Sequence, residues 1–217
     1  MKKTIRIIGV PIDLGQSLRG VDLGPGALRY AGLATHLQQL GYRVNDIGNL
    51  EVPVRDTLGD QRRLHYLPAI QKVCEAAYQA GLQAIADGEI PVFIGGDHSL
   101  AIGSIGGVTH QEPAGILWID AHGDFNTLKT TPSGNIHGMT LSVLLGDGYA
   151  ELVNVGRPGA KLTADDVVMI GVRAIDSEER QRLRDSGICI YTMRDIDERG
   201  IGAVIREALQ RLEHRQR

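Results

Sequence analysis

A chain of 217 residues, 42% apolar and 23% charged, is long enough to bury a substantial core and is most simply one domain, residues 1–217. Its net charge of −3 gives no electrostatic reason to expect a nucleic-acid partner. No segment approaches the ~18 continuous apolar residues of a membrane span, and Lys2 and Lys3 precede an apolar run that Asp13 soon interrupts, so neither a membrane helix nor a signal peptide is expected. Cys74 and Cys189, far apart in the chain, read as buried free thiols and make the cytoplasm the expected compartment.

Strand and helix signals alternate from end to end. Thr4 to Val10 reads as a buried strand, followed by a glycine-rich loop from Gly15 to Gly24. Pro25 then opens a helix expected to run to about Leu40, where Gly41 supplies a stop. Tyr42 to Ile47 is a weaker strand, and the polar segment Gly48 to Arg63 reads as a surface excursion. Next come a long helix from Tyr66 to Ala86, a strand from Ile90 to Ile94, a short helix from Ser99 and a strand from Gly115 to Ile119. A loop from Gly123 to Ile136 leads to a helix from His137 to Leu145, a strand from Val167 to Val172, a helix from Ser177 to Arg184 and a strand from Ile188 to Tyr191. The closing helix carries Ile201, Val204, Ile205, Ala208, Leu209 and Leu212 on one face. Ile- and Val-rich strands alternating with helices imply an α/β fold, a mostly parallel sheet covered by helices on both faces. Such sheets bind ligands beyond the carboxyl ends of their strands.

Two clusters occupy that position. Asp120, His122 and Asp124 follow the apolar run that ends at Ile119, and alternate residues of an extended backbone share a face. A carboxylate, an imidazole and a second carboxylate form a ligand set for a divalent cation that accepts oxygen and nitrogen together. Three ionisable groups on one face need partners, because unpaired buried charge is costly. Gly95-Gly96-Asp97-His98-Ser99 ends another strand, where His98 is a further candidate ligand and Asp97 either a ligand or a group that orients a histidine. Two such strand ends side by side point to a metal-activated hydrolase. The following loop, with Asn126, Ser133, Gly134 and Asn135, offers amides and hydroxyls suited to a small polar substrate, and His137 is an imidazole suited to proton transfer, or a helix-start residue with no chemistry. The glycines at 95, 96, 103, 106 and 107 lack nucleotide-loop spacing, and Ser99 and Ser104 lack a nucleophile-elbow pattern. His36, His65, His110 and His214 are isolated and read as surface residues.

Gly95-Gly96-Asp97-His98-Ser99, Asp120-Ala121-His122-Gly123-Asp124 and Ser133-Gly134-Asn135-Ile136-His137-Gly138-Met139 together resemble the motifs of the ureohydrolase family, bacterial arginases most closely. Gly9-Val10-Pro11-Ile12-Asp13-Leu14-Gly15-Gln16, Arg19-Gly20-Val21-Asp22, Gly24-Pro25 and Ile170-Gly171-Val172-Arg173 with Asp176 and Glu179 fit as well. The resemblance implies a three-layer α/β/α fold and a pair of Mn2+ ions per complete subunit. His98, Asp120 and Asp124 would hold one ion, with His122 and the bridging Asp120 on the other. It further implies that Asn126, Ser133 and Asn135 (with Gly134 between them) recognise the α-carboxylate of L-arginine, that Asp176 recognises its amino group, and that His137 shuttles a proton. The products would be L-ornithine and urea, and the assembly a homo-oligomer, trimer or hexamer. Agmatinase is the neighbouring alternative, but agmatine has no carboxylate to occupy the 126–135 loop.

One departure stands out. The family has a further strand ending in Asp-x-Asp, which supplies two more ligands, and beyond it a glutamate that contacts the guanidinium. This chain runs to Arg217, where that strand would begin, so it reads as an arginase-like domain without the family's C-terminal part and with central sheet strands missing. Asp195-Ile-Asp197 has the spacing but precedes a helix, and is expected not to bind metal. A non-catalytic ureohydrolase-like protein is therefore the second expectation.

Overall fold

The computed structural model describes residues 2–213, with the side chains of 62–64 left aside; His214 lies outside the described residues. Six strands and nine α-helices follow one another among these residues: β1 (Thr4–Val10), α1 (Gly24–Tyr30), α2 (Leu33–Gln39), β2 (Arg43–Asn49), α3 (Leu67–Ala86), β3 (Ile90–Gly95), α4 (Leu100–Val108), β4 (Ile116–Ile119), α5 (Thr140–Leu144), α6 (Ala150–Val153), β5 (Val167–Val172), α7 (Ser177–Asp185), β6 (Cys189–Thr192), α8 (Met193–Arg199) and α9 (Ile201–Arg211).

All strand pairings are parallel, but they form two sheets, β2-β1-β3 and β4-β5-β6. Each sheet is the middle layer of three. Ile8 and Val10 of β1 face a core shared with Ile70, Val73 and Cys74 of α3 and Ile102 of α4, whereas Ile5 and Ile7 meet Leu33 and Leu37 of α2 on the other side. In β5, Val167 and Met169 join Leu141, Leu144 and Leu183, while Val168 and Ile170 join Val204, Ala208 and Leu212. This alternation explains why β5 is buried at all six positions and reads as a continuous apolar run. The sheets part between β3, which leads to His98, and β4, which leads to Asp120; among the described residues neither β3 nor β4 has a strand partner on that side.

Two helix expectations need correction. The helix foreseen from Pro25 to Leu40 is two helices, because Gly32 takes φ +86° at the start of α2 and breaks the hydrogen-bond ladder. The helix foreseen from His137 to Leu145 begins as a 3₁₀ turn over Ile136–Met139, and only Thr140–Leu144 is α-helical. Helices α6 and α8 were not foreseen. The glycines of α4 have a packing use. A Cβ on Gly103 would sit 2.1 Å from the Cys74 carbonyl oxygen and one on Gly107 2.1 Å from that of Tyr78, so α4 lies directly against the backbone of α3. Cys74 is buried, Cys189 half-buried, and both are free. His36, His65 and His110 are exposed, as read from the sequence.

Candidate metal centre and substrate cavity

Both clusters lie just past the carboxyl ends of their strands. β1 and β3 stay in register from Ile5 opposite Ile90 to Val10 opposite Gly95, and His98 follows three residues later. β4 pairs with β5 from Ile116 opposite Val167 to Ile119 opposite Ile170, and the Asp120 amide still donates to Ile170 O at 3.1 Å. The two ends meet across the gap. His98 Nδ1 lies 2.5 Å from Asp124 Oδ2 and 3.3 Å from Asp120 Oδ2, and the His98 ring stacks on Trp118 at 4.6 Å between centroids.

The donor atoms of His98, Asp120 and Asp124 lie within 4.8 Å of one another. Asp124 is 7% exposed, yet its Oδ2 has no hydrogen-bond partner among the described residues. Its near neighbour is His98 Nδ1, which forms an ion pair with it when the imidazole is protonated. Two carboxylates and an imidazole converging at a buried point call for positive charge between them, and a cation shared by the three groups supplies it. The residues fit a metal. Burial works to lower the His98 pKa, but Asp124 and Asp120 outweigh it and hold it above the ordinary value. Those carboxylates favour positive charge at this point, whether a proton or a metal supplies it.

His122 stands apart. Its side chain is 66% exposed, and its Nδ1 lies 3.1 Å from Asp120 Oδ1, the oxygen that also accepts from the His122 amide at 2.9 Å. The alternation argument therefore holds only in part. β4 ends at Ile119, and Asp124 reaches the cluster through a turn in which it takes φ +47°, not by continued extension.

A cavity of about 610 Å³ opens beside the cluster, lined by His98, Asp120, His122, Asp124, Asn126, Ser133, Asn135, His137, Asp176 and Glu179 among others. Asn126 Nδ2 donates to Asp176 Oδ2 at 2.9 Å, while Thr130 Oγ1 donates to Asn126 Oδ1 at 3.0 Å and fixes the amide's orientation. Ser17 Oγ donates to Asn135 Oδ1 at 3.0 Å, and Ser133 Oγ accepts from the Asn135 amide at 3.2 Å. Gly134 does not line the cavity; it turns the loop at φ +73°. The His137 backbone is tied at both ends, its N–H to Gly15 O at 3.0 Å and its C=O to Thr140 Oγ1 at 2.8 Å, and the half-buried ring lines the cavity.

Asp97 is not in the metal cluster. Its carboxylate is 4% exposed and accepts from the Gly15 amide at 2.8 Å, the Ser99 amide at 3.0 Å and Ser99 Oγ at 2.5 Å. It thereby holds the Gly15 loop against which His137 is fixed. Burial pushes the Asp97 pKa up, in competition with these bonds. Asp195 is likewise away from the cluster: its Oδ2 accepts from Thr192 N at 2.7 Å and Thr192 Oγ1 at 2.5 Å, a capping box that starts α8. Glu179, buried at the cavity wall, enters the sequence reading only as part of a motif. Its Asp176-x-x-Glu179 spacing is a helix-start signal, and the structure contains that capping box.

A family model described as the arginase family matches residues 3–217. The chain belongs to the arginase family. Its class is that of ureohydrolase enzymes, in line with the motifs at 95–99, 120–124 and 133–139. It is 44% identical over 216 residues to an arginase of Bacillus caldovelox, covering 98% of this chain and 72% of that protein. The crystal structure of an arginase from Bacillus subtilis superimposes with a TM-score of 0.91 at 44% identity, over 98% of this chain and 72% of the other. The native Bacillus caldovelox arginase structure gives 0.92 at 44% identity, over 100% and 73% respectively. These similarities make the three-layer α/β/α arrangement an arginase fold.

Proposed function

We propose that this arginase-family chain hydrolyses the guanidinium group of L-arginine to L-ornithine and urea, in a site that takes Mn2+. The observation that carries the substrate reading is the Asn126–Asp176 contact of 2.9 Å on the cavity wall. An amide donor and a carboxylate acceptor fixed side by side match the adjacent carboxylate and ammonium of an α-amino acid. Asn126, Ser133 and Asn135 face the carboxylate in this reading, and Asp176 faces the amino group. Agmatine has only part of that pattern.

His98, Asp120 and Asp124 would hold one metal ion, with His122 and Asp120 toward a second. When bound, the metal supplies a lowered pKa for its water and so a nucleophile for the guanidinium carbon at neutral pH. The chain's own side chains bind and orient the substrate, while His137, anchored through Gly15 and Thr140, delivers a proton to the leaving amine. The break between the two sheets is read as the place of strands that the longer relatives have in addition. The same break, together with a single three-donor cluster among the described residues, favours a second reading in which the chain binds metal without turnover. A cytoplasmic homo-oligomer, trimer or hexamer, completes the proposal; the free thiols of Cys74 and Cys189 support a reducing compartment.

The test is urea release by the purified, Mn2+-loaded chain from L-arginine and from agmatine. L-Arginine should be preferred by about tenfold or more in kcat/KM, the worth of one lost charge-assisted contact. Comparable rates on the two substrates overturn the substrate reading. Metal uptake without any urea establishes the second reading.

A further inference from the structure

Glu179 is 3% exposed and makes no salt bridge among those formed by the described residues. A carboxylate so placed needs strong hydrogen bonds. Its two oxygens accept from two different segments, one through a short bond and one through a long one. Oε1 accepts from the Phe125 amide at 2.7 Å, and Oε2 accepts from the Asp176 amide at 3.3 Å. The first bond is made by the residue after Asp124, whose φ of +47° is a left-handed conformation uncommon among L residues, although Asp is one of those that tolerate it best. The second is made by the amide of Asp176 itself, at the start of α7. The turn is held against the carboxylate so closely that a Cβ on Gly123 would lie 2.6 Å from Glu179 Oε1. Leu141 N donates to Asp124 O at 2.9 Å, so the turn is tied from one side by α5 and from the other by Glu179.

We infer that Glu179 is a positioning residue that couples the metal ligand Asp124 to the amino-group acceptor Asp176. It touches neither metal nor substrate in this role. One oxygen keeps the Asp124 carboxylate in the cluster, and the other keeps the Asp176 carboxylate at the cavity wall. The Asp176 half rests on the substrate reading above; the Asp124 half rests only on the metal cluster.

The two oxygens allow the halves to be separated. Glu179→Ala removes both bonds and should weaken Mn2+ binding about tenfold or more, the usual cost of losing a group that orients a ligand. Leu183→Ala is the control: it truncates a buried side chain on the same helix that also packs at Gly123 but bonds to neither amide. It should lower Tm while leaving Mn2+ affinity unchanged. Glu179→Gln keeps an acceptor for the shorter Phe125 bond but turns an NH2 toward the Asp176 amide. It should keep wild-type Mn2+ affinity and raise KM for L-arginine about tenfold, with kcat little changed. Mn2+ affinity is read by EPR titration of the whole chain, which needs no turnover. Equal loss of affinity in Glu179→Ala and Leu183→Ala, or loss in neither, overturns the inference. If Glu179→Ala fails to fold, Glu179→Gln decides: weakened Mn2+ binding with unchanged KM contradicts the assignment. A wild-type chain that binds Mn2+ but releases no urea overturns the substrate reading alone. The Asp176 half is then read from L-arginine affinity by calorimetry, expected to fall about tenfold in Glu179→Gln.

Discussion

Titrating the purified chain with Mn2+ should fill one site well before a second. The three-donor cluster of His98, Asp120 and Asp124 is formed, with all donor atoms within 4.8 Å, and contains both cluster carboxylates. Among the described residues, a second ion would have His122, 66% exposed, and a share of Asp120, whose Oδ1 already accepts from the His122 amide. Two ions carry four positive charges, and Asp120 and Asp124 answer two of them. Dications about 4 Å apart repel by about 4 kcal/mol even at the dielectric constant of bulk water, and by about 17 kcal/mol at an effective value of about 20. Taking only the lower figure, and allowing for the pull of the shared carboxylate, the second ion should bind about two to three orders of magnitude more weakly than the first. Metal analysis after gel filtration in Mn2+-free buffer should therefore return close to one ion per chain, and EPR should show an uncoupled Mn2+ signal. Two ions retained with similar affinity and an exchange-coupled spectrum would refute the charge argument.

His137→Ala should lower urea production by about 10²–10⁴-fold with little change in retained metal, since its proposed work is proton transfer; equal loss of metal and rate would make it a structural support. Thr192→Ala removes the cap of α8 and should cost about 1 kcal/mol in denaturant unfolding. Hydrogen bonds from the Thr192 hydroxyl and amide hold the Asp195 carboxyl below the usual carboxylate range. Its contribution should thus be fully present above about pH 4 and fade as pH falls through the lower folded value, so the wild-type advantage over Thr192→Ala should shrink in acid. An advantage that instead grows in acid would contradict this. Gly156→Ala should destabilise by about 2–4 kcal/mol, because Gly156 sits at φ +65° and a Cβ there would lie 2.3 Å from the ring of the buried Tyr78; a cost below about 1 kcal/mol would mean the ring has room to move.

The strands were legible in the residue order because each carries a local signature. β5 is apolar on both faces and reads as a run, whereas the stripe expected on α9 holds only in part: Val204, Ala208 and Leu212 are buried, but Ile201 and Leu209 stay exposed because they lie to either side of the line that meets β5. Motif residues near the ends of β3 and β4 follow from the same logic, since an α/β sheet leaves its binding groups beyond its strand ends. What residue order could not express is the meeting of those ends. His98 and Asp124 come within 2.5 Å although they follow strands of different sheets, and nothing local to either segment encodes that distance. Asp124 also joins the cluster through a positive-φ turn that period-two reasoning does not foresee. At that turn Glu179, 54 residues beyond Phe125, accepts from the Phe125 amide at 2.7 Å. Local periodicity and spacing determined the elements and the donor types; long-range hydrogen bonding and packing decided which donors share a point in space, because only tertiary contact can hold a buried, otherwise unpartnered charge in place.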